Sequence, residues 1–320
     1  MIRTLTFDIA TLVPYIDWVY FLHAWGFPPR FASIARVHDC AACRSAWVEA
    51  QAEEDKPRAK AIITLYDEAQ RVLKQMAQAK VMAKARVGLF PAWSEDEDII
   101  LVTSKGDVRL NLLRQQHAAS KGKPNYCLAD FVAPRVVSRY DEVRFPMTDA
   151  QGTQADGLLH ASAIGVFAAA TVHAAQMTES GDDYNALMTE TLSQRLAEAC
   201  VEKMHEVVRK EIWGYAQAEH LAVADILAEK YVGLRPAVGY PSLPDLSLNF
   251  DLDRLIDFGE IGISLTENGM MSPQASVSGL LFAHPLAQHF AVGKIGDDQL
   301  ADYASRRGQT LADIRRYLKH

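Results

Sequence analysis

One stretch limits the folds open to this chain more than any other: from Asp182 to Trp213 the residues keep an unbroken helical period. Tyr184, Leu187, Leu192, Leu196, Cys200, Met204, Val207 and Val208 form its apolar stripe, and the opposite face is charged. A helix that long and that one-sided must lay its stripe on a large apolar surface, which a sheet supplies best. Strand-like segments lie on both sides of it. "RVGLFPAW" and "EDIILVTS" precede it, and "IGISLTE", "ASVSGLLFAH" and "HFAVGKI" follow. Short strands in close succession pair antiparallel, so the pattern reads as α+β rather than doubly wound. Residues near 45 to 84 read as helices broken at Pro57, with Ile62, Leu65, Ala69, Leu73 and Met76 on one face. "DLDRLIDFG" reads as a short helix with Gly259 at its C-terminal end. Two helical segments close the chain, the second opened by Thr310 and Asp313 in capping-box spacing. With no internal repeat and no Gly/Ser-rich or Pro-rich linker, residues 1–320 are expected to form a single domain.

Charge and cysteine usage narrow the partners. A net charge of −7 leaves no basic footprint for nucleic acid, and a small cationic or zwitterionic ligand is more compatible. Four cysteines in 320 residues are too few for a secreted disulfide framework, which points to a reducing, cytoplasmic setting. The N-terminus carries Asp8 within its apolar stretch and lacks the pattern of a signal peptide. The weakly polar run "GLLHASAIGVFAAATVHAAQ" is interrupted by His160 and His173, and reads as a buried strand with its flanks, not a membrane span.

The usual catalytic signatures are missing. No G-x-G-x-x-G, G-x-x-x-x-G-K-[ST], G-x-S-x-G or H-E-x-x-H occurs. Cys40-x-x-Cys43, with His38 just before it, lacks a second pair and reads as a helix start bearing two thiols. Two thiols and one histidine leave a tetrahedral zinc site one ligand short, so no metal is expected. Glu198 and His205, seven apart, share a helical face that reads as solvated. "RPAVGYP", Arg235 to Pro241, is more pointed. Its prolines fix φ and remove two donors, Gly239 permits a tight turn, and Arg235 carries a planar fork suited to a carboxylate. On these grounds it is either a stiff ligand-holding loop presenting the amides of Ala237, Val238 and Gly239, or a surface turn with a salt-bridged arginine.

That loop, with "YIDW" at 15–18, "GLFPA" at 88–92, "LRQQ" at 113–116, "CLADFVAP" at 127–134, "GDDYN" at 181–185, "EIWGY" at 211–215 and "ASVSG" at 275–279, resembles the activation domain of cobalamin-dependent methionine synthase, in order from about Tyr15 to Tyr317. The resemblance implies a C-shaped domain with a central twisted antiparallel sheet and flanking helices, which binds S-adenosylmethionine in a shallow groove. It also implies a role: the domain docks on a cobalamin-binding module whose cobalt has slipped to Co(II). A flavodoxin-like donor then supplies an electron, S-adenosylmethionine supplies a methyl group, and methylcobalamin is restored. The cobalamin is held by the partner, since no histidine here lies in D-x-H-x-x-G, and the chain makes no methionine alone. It is a fragment of a longer synthase or a separate subunit. A non-catalytic S-adenosylmethionine-responsive module, or a reactivator of another corrinoid methyltransferase, would carry the same motifs.

Carried over by motif, the ligand contacts implied are Asp17, Glu198, Arg235, Ala237, Gly239, Tyr240 and His289, with no catalytic acid or base. Asp17, taken without the family, is as readily a helix-start acid. His289 stands where relatives have the first tyrosine of an aromatic pair, completed here by Phe290. Ser272 stands where relatives often carry a tryptophan, and the segment 135–157 is longer than usual.

Overall fold

The computed structural model describes residues 1–118, 122–135, 163–172 and 183–318, together with the backbone of 144–148 and 154–158. Six strands form the main sheet: β1 (Ile2–Asp8), β2 (Met82–Glu95), β3 (Asp98–Thr103), β4 (Gly106–Asn111), β5 (Ala163–Val172) and β6 (Ser276–Leu281). Their order is β6-β5-β2-β3-β4, and β1 also pairs with β2. Every pairing is antiparallel, as the succession of short strands predicted. The 14-residue β2 organises the sheet. Met82 to Pro91 pair with β5 across Val172 to Ala163, while on the other side Met82 to Gly88 pair with β1 and Ala92 to Glu95 with β3.

The six helices that matter here are α1 (Trp18–Ala24), α2 (Lys56–Gln78), α3 (Asp183–Val207), α4 (Leu248–Ile256), α5 (Asp297–Arg307) and α6 (Leu311–Tyr317). They cover both faces of the sheet. Because side chains alternate along a strand, Phe167 and Ala169 of β5 pack with α2 and α3, while Val166, Ala168 and Ala170 pack with α4. Burial on both faces explains why β5 reads as one continuous apolar run. The expected α2 face is borne out: Ile62, Leu65, Ala69, Leu73 and Met76 are all buried, and Pro57 sits in the first turn, where it costs no hydrogen bond. Thr310 caps α6 by accepting from the Asp313 amide at 3.2 Å.

The structure corrects five sequence expectations. On α3 the stripe begins later than expected: Tyr184 and Leu187 are exposed, while Leu192, Leu196, Cys200, Met204 and Val208 are buried. The α-helical part ends at Val207 and continues as a π-helical turn, Val208–Ile212, which carries the buried Arg209. Helix α4 stops at Ile256, one residue before Asp257, whose left-handed φ of 57° terminates it in place of Gly259. "HFAVGKI" forms no strand; its Val292 amide donates to Pro241 O at 2.8 Å, a loop contact in place of a ladder. Finally, "IGISLTE" contributes only Ser264–Leu265, paired with Met271–Ser272, so Ser272 lies in a two-residue ribbon. The segment 135–157 lies largely outside the described residues; the backbone of Arg144–Thr148 pairs with Gln154–Leu158. Among the described residues no helix is long and apolar enough to cross a membrane.

Candidate functional site

The segment Arg235 to Tyr240 runs along the free edge of β6. Leu234 and Ala237 form antiparallel bridges with Phe282 and Gly279, the Val238 amide donates to Ser278 O at 2.9 Å, and the Leu280 amide donates to Pro236 O at 3.0 Å. So close an approach requires a glycine in β6. A Cβ on Gly279 would strike Pro236 O and come within 2.9 Å of Ala237 Cα. Gly239, at φ 86°, then reverses the chain, donating to Leu243 O at 2.8 Å. The expected row of three free amides is therefore reduced. Val238 and Gly239 spend their donors on the sheet edge and the turn. Ala237 differs, because backbone groups alternate in direction along an extended chain: Pro236 and Val238 face β6, so the Ala237 amide faces away from it.

Two contacts fasten this loop to one turn of α3. Arg235 forms an ion pair with Glu202, and the Tyr240 hydroxyl donates to Glu198 Oε1 at 3.0 Å. Glu198 and Glu202 are four apart and stack on one helix face. The pair is enclosed, with side-chain exposures of 9% for Arg235 and 16% for Glu202. Burial pushes the Glu202 carboxyl above the ordinary carboxylate range in spite of Arg235, and the charges of Glu198 and Glu229 push the same way. Among the described residues, Arg235 Nε and Glu202 Oε2 are buried without a hydrogen-bond partner. A donor and an acceptor are thus left over at one ion pair, which calls for an explanation. Burial, followed by Glu198, raises the Tyr240 phenol to about 12.

Comparison with known proteins decides the family. A model described as "Vitamin B12 dependent methionine synthase, activation domain" matches residues 8–308. The chain belongs to that family. Among solved structures, the activation domain is similar to "Crystal Structure of the MetH Reactivation Domain bound to AdoHcy", with a TM-score of 0.78 and 31% identity over 99% of this chain and 89% of that one.

Two carried-over residues of the activation domain stand apart from the loop and its helix turn. Asp17 caps α1, accepting from the Val19 amide at 2.8 Å, which is the helix-start role open to it from the sequence alone. It sits between two anchors to α3. The Tyr15 hydroxyl donates to Glu206 at 2.6 Å, and the Arg195 guanidinium lies 5.8 Å over the Tyr20 ring. His289 contacts Glu229 at 3.3 Å, and this contact holds the Glu229 carboxyl below its ordinary range. Glu229 in turn acts on Arg235 through its charge.

A layer behind Arg235 escaped the sequence reading. His205, expected on a solvated face, is fully buried: its Nε2 lies 3.5 Å from the Tyr215 hydroxyl, and the Tyr231 ring meets it edge-on at 4.7 Å. Arg209, equally buried, pairs with Glu219 at 2.6 Å and lies 4.2 Å over Tyr231. Burial raises the Tyr231 phenol to about 12 and drives the His205 pKa well below its ordinary value, helped by the cations Arg209 and Arg235. Glu202 was the one member with a visible signal, since an acid four residues after Glu198 occupies the same helix face.

Proposed function

We propose that this activation domain binds S-adenosylmethionine between the Arg235–Tyr240 loop and the Glu198 turn of α3, and donates its methyl group to a cobalamin carried by a partner module. In this reading a flavodoxin-like donor first reduces that cobalamin, and the setting is the cytoplasm. S-adenosylmethionine carries a carboxylate, an ammonium and a sulfonium. The outward amide of Ala237 and the spare Nε of Arg235 suit the carboxylate, while Glu198 and the spare oxygen of Glu202 suit the cationic groups. Asp17 and His289 join the reading through the family resemblance, since both stand apart from the loop and its helix turn. Moving a methyl group from a sulfonium to reduced cobalt transfers no proton, so the site needs positioning groups and no general acid or base. Tyr240, 52% exposed, keeps the loop at the surface, within reach of another module.

The observation that carries the reading is the pair of contacts by which one loop and one helix turn place an arginine, an outward amide and two acids side by side. Calorimetry with S-adenosylmethionine tests the binding half; no heat and no thermal shift at millimolar ligand would sink it. Mixing the chain with the cobalamin module, a reductant and S-adenosylmethionine tests the transfer half. The spectrum of methylcobalamin is expected, and binding without that spectrum would support the non-catalytic module instead.

A further inference from the structure

Three soft ligands converge on an exposed turn that takes no part in the loop or its helix. His38, Cys40 and Cys43 precede and open the helix Ala41–Glu49, and one ligand atom from each falls within 4.8 Å of the other two. The local backbone produces this. Cys40 is the extended N-cap residue, at φ −69° and ψ 148°, and its sulfur accepts from the Cys43 amide at 3.4 Å, so the first helical turn brings Cys43 back beside it. His38 Nδ1 accepts from the Cys40 amide at 3.2 Å, which folds the imidazole over the same cap. All three residues are exposed, and both thiols are free. Packing does not account for them. Cysteine is among the most buried residue types, as Cys127 and Cys200 illustrate here, and two exposed thiols three residues apart beside a histidine ask for a chemical reason.

We propose that His38, Cys40 and Cys43 form a binding site for one zinc-like divalent cation, held by two thiolate sulfurs and a ring nitrogen, with the fourth corner open to water or to a donor from another molecule. This departs from the sequence expectation, which counted three ligands as a deficit. Three protein ligands with an open position are themselves an established zinc arrangement, and one with two sulfurs and a nitrogen discriminates against magnesium and calcium. Each thiol must lose its proton to bind, and the N-terminal end of the helix favours the negative charge that results.

The full chain is reduced without air, its four thiols are confirmed by titration, and cobalt(II) is added as a spectroscopic substitute for zinc. A sulfur-to-cobalt charge-transfer band saturating at one equivalent, and bleached by zinc but not by magnesium, is expected. Losing an outer-shell partner costs about 10- to 100-fold in metal affinity, so Cys40→Ser, Cys43→Ser and His38→Ala should each weaken binding at least about tenfold. The double variant Cys40→Ser/Cys43→Ser should lose the band. These exposed positions leave the fold intact, which a melting curve verifies. Absence of the band in the fully reduced chain would overturn the proposal, as would its persistence in the double variant.

Discussion

Arg235 of the loop and Glu202 of α3 form a buried ion pair, and among the described residues each retains one buried polar atom without a partner. An arginine on an open surface loop would matter for binding and hardly at all for the fold. The enclosure of Arg235 changes that, because removing one member of a buried pair strands the other. Arg235→Ala should cost about 3 kcal/mol of stability, and should weaken S-adenosylmethionine binding by about one to two decades. Arg235→Lys keeps the charge and loses the planar fork, so it should recover more of the stability than of the affinity. Urea midpoints and calorimetry on both variants check this. An unchanged midpoint for Arg235→Ala would show that the pair contributes nothing.

Tyr240 should behave differently. Its ring is half-exposed and its hydroxyl donates to Glu198 Oε1 at 3.0 Å. Tyr240→Phe removes about 1 kcal/mol at most from the fold, yet frees Glu198 from the orientation in which it faces the loop. A melting temperature close to the parent's, with S-adenosylmethionine affinity reduced about fivefold, is expected. Equal affinity would mean that Glu198 is held by something else.

How much could be read in advance depended on the range of the interaction. The core face of α2, the antiparallel succession and the buried run of β5 follow from periodicity, which is local. The stripe of α3 failed at Tyr184 and Leu187 because a helix extends past the sheet that buries it, and periodicity carries no information on where the sheet ends. Asp257 replaced Gly259 as the terminator of α4 because a short polar side chain tolerates the left-handed region, which leaves two candidates in one turn. Motif resemblance located Glu198, Arg235, Ala237, Gly239 and Tyr240 together, but the partner of Arg235 is 33 residues away and no spacing rule reaches that far. His205 was misplaced for the same reason: what buries it, Tyr215 and Tyr231, arrives after the chain has turned back.

Gly279 offers a test of the loop's placement that removes no polar side chain. A methyl group there collides with the backbone of Pro236 and Ala237, which has no flexible side chain to move aside. Gly279→Ala should lift the loop from β6, costing about 1 to 3 kcal/mol as overpacking does. S-adenosylmethionine affinity should fall at least about tenfold, since the outward amide of Ala237 moves with the loop. Amide exchange should quicken at Val238 and Leu280, the donors that join the loop to the strand. Slow exchange at both amides in the variant would mean that the close approach is not what holds the loop.

His205 provides a pH signature. It is fully buried, and that burial, followed by the charges of Arg209 and Arg235, opposes its protonation and holds its folded pKa well below the ordinary value. In the unfolded chain the same imidazole titrates near about 6.5. Below that pH the unfolded state takes up a proton that the folded state refuses, so stability is fully present above it and is lost as the pH falls toward the folded pKa. While only the unfolded state is protonated, the loss is about 1.4 kcal/mol per pH unit. His205→Asn removes the titrating group, and though it lowers stability throughout by disturbing the contacts with Tyr215 and Tyr231, it should flatten this part of the profile. Unfolding free energies from pH 8 to pH 5 (a range of about 3 units), compared between parent and variant, isolate the difference from the carboxylates that both share. Parallel profiles would show that His205 takes up its proton in the folded chain as readily as in the unfolded one, and that its burial between Tyr215 and Tyr231 does not keep it neutral.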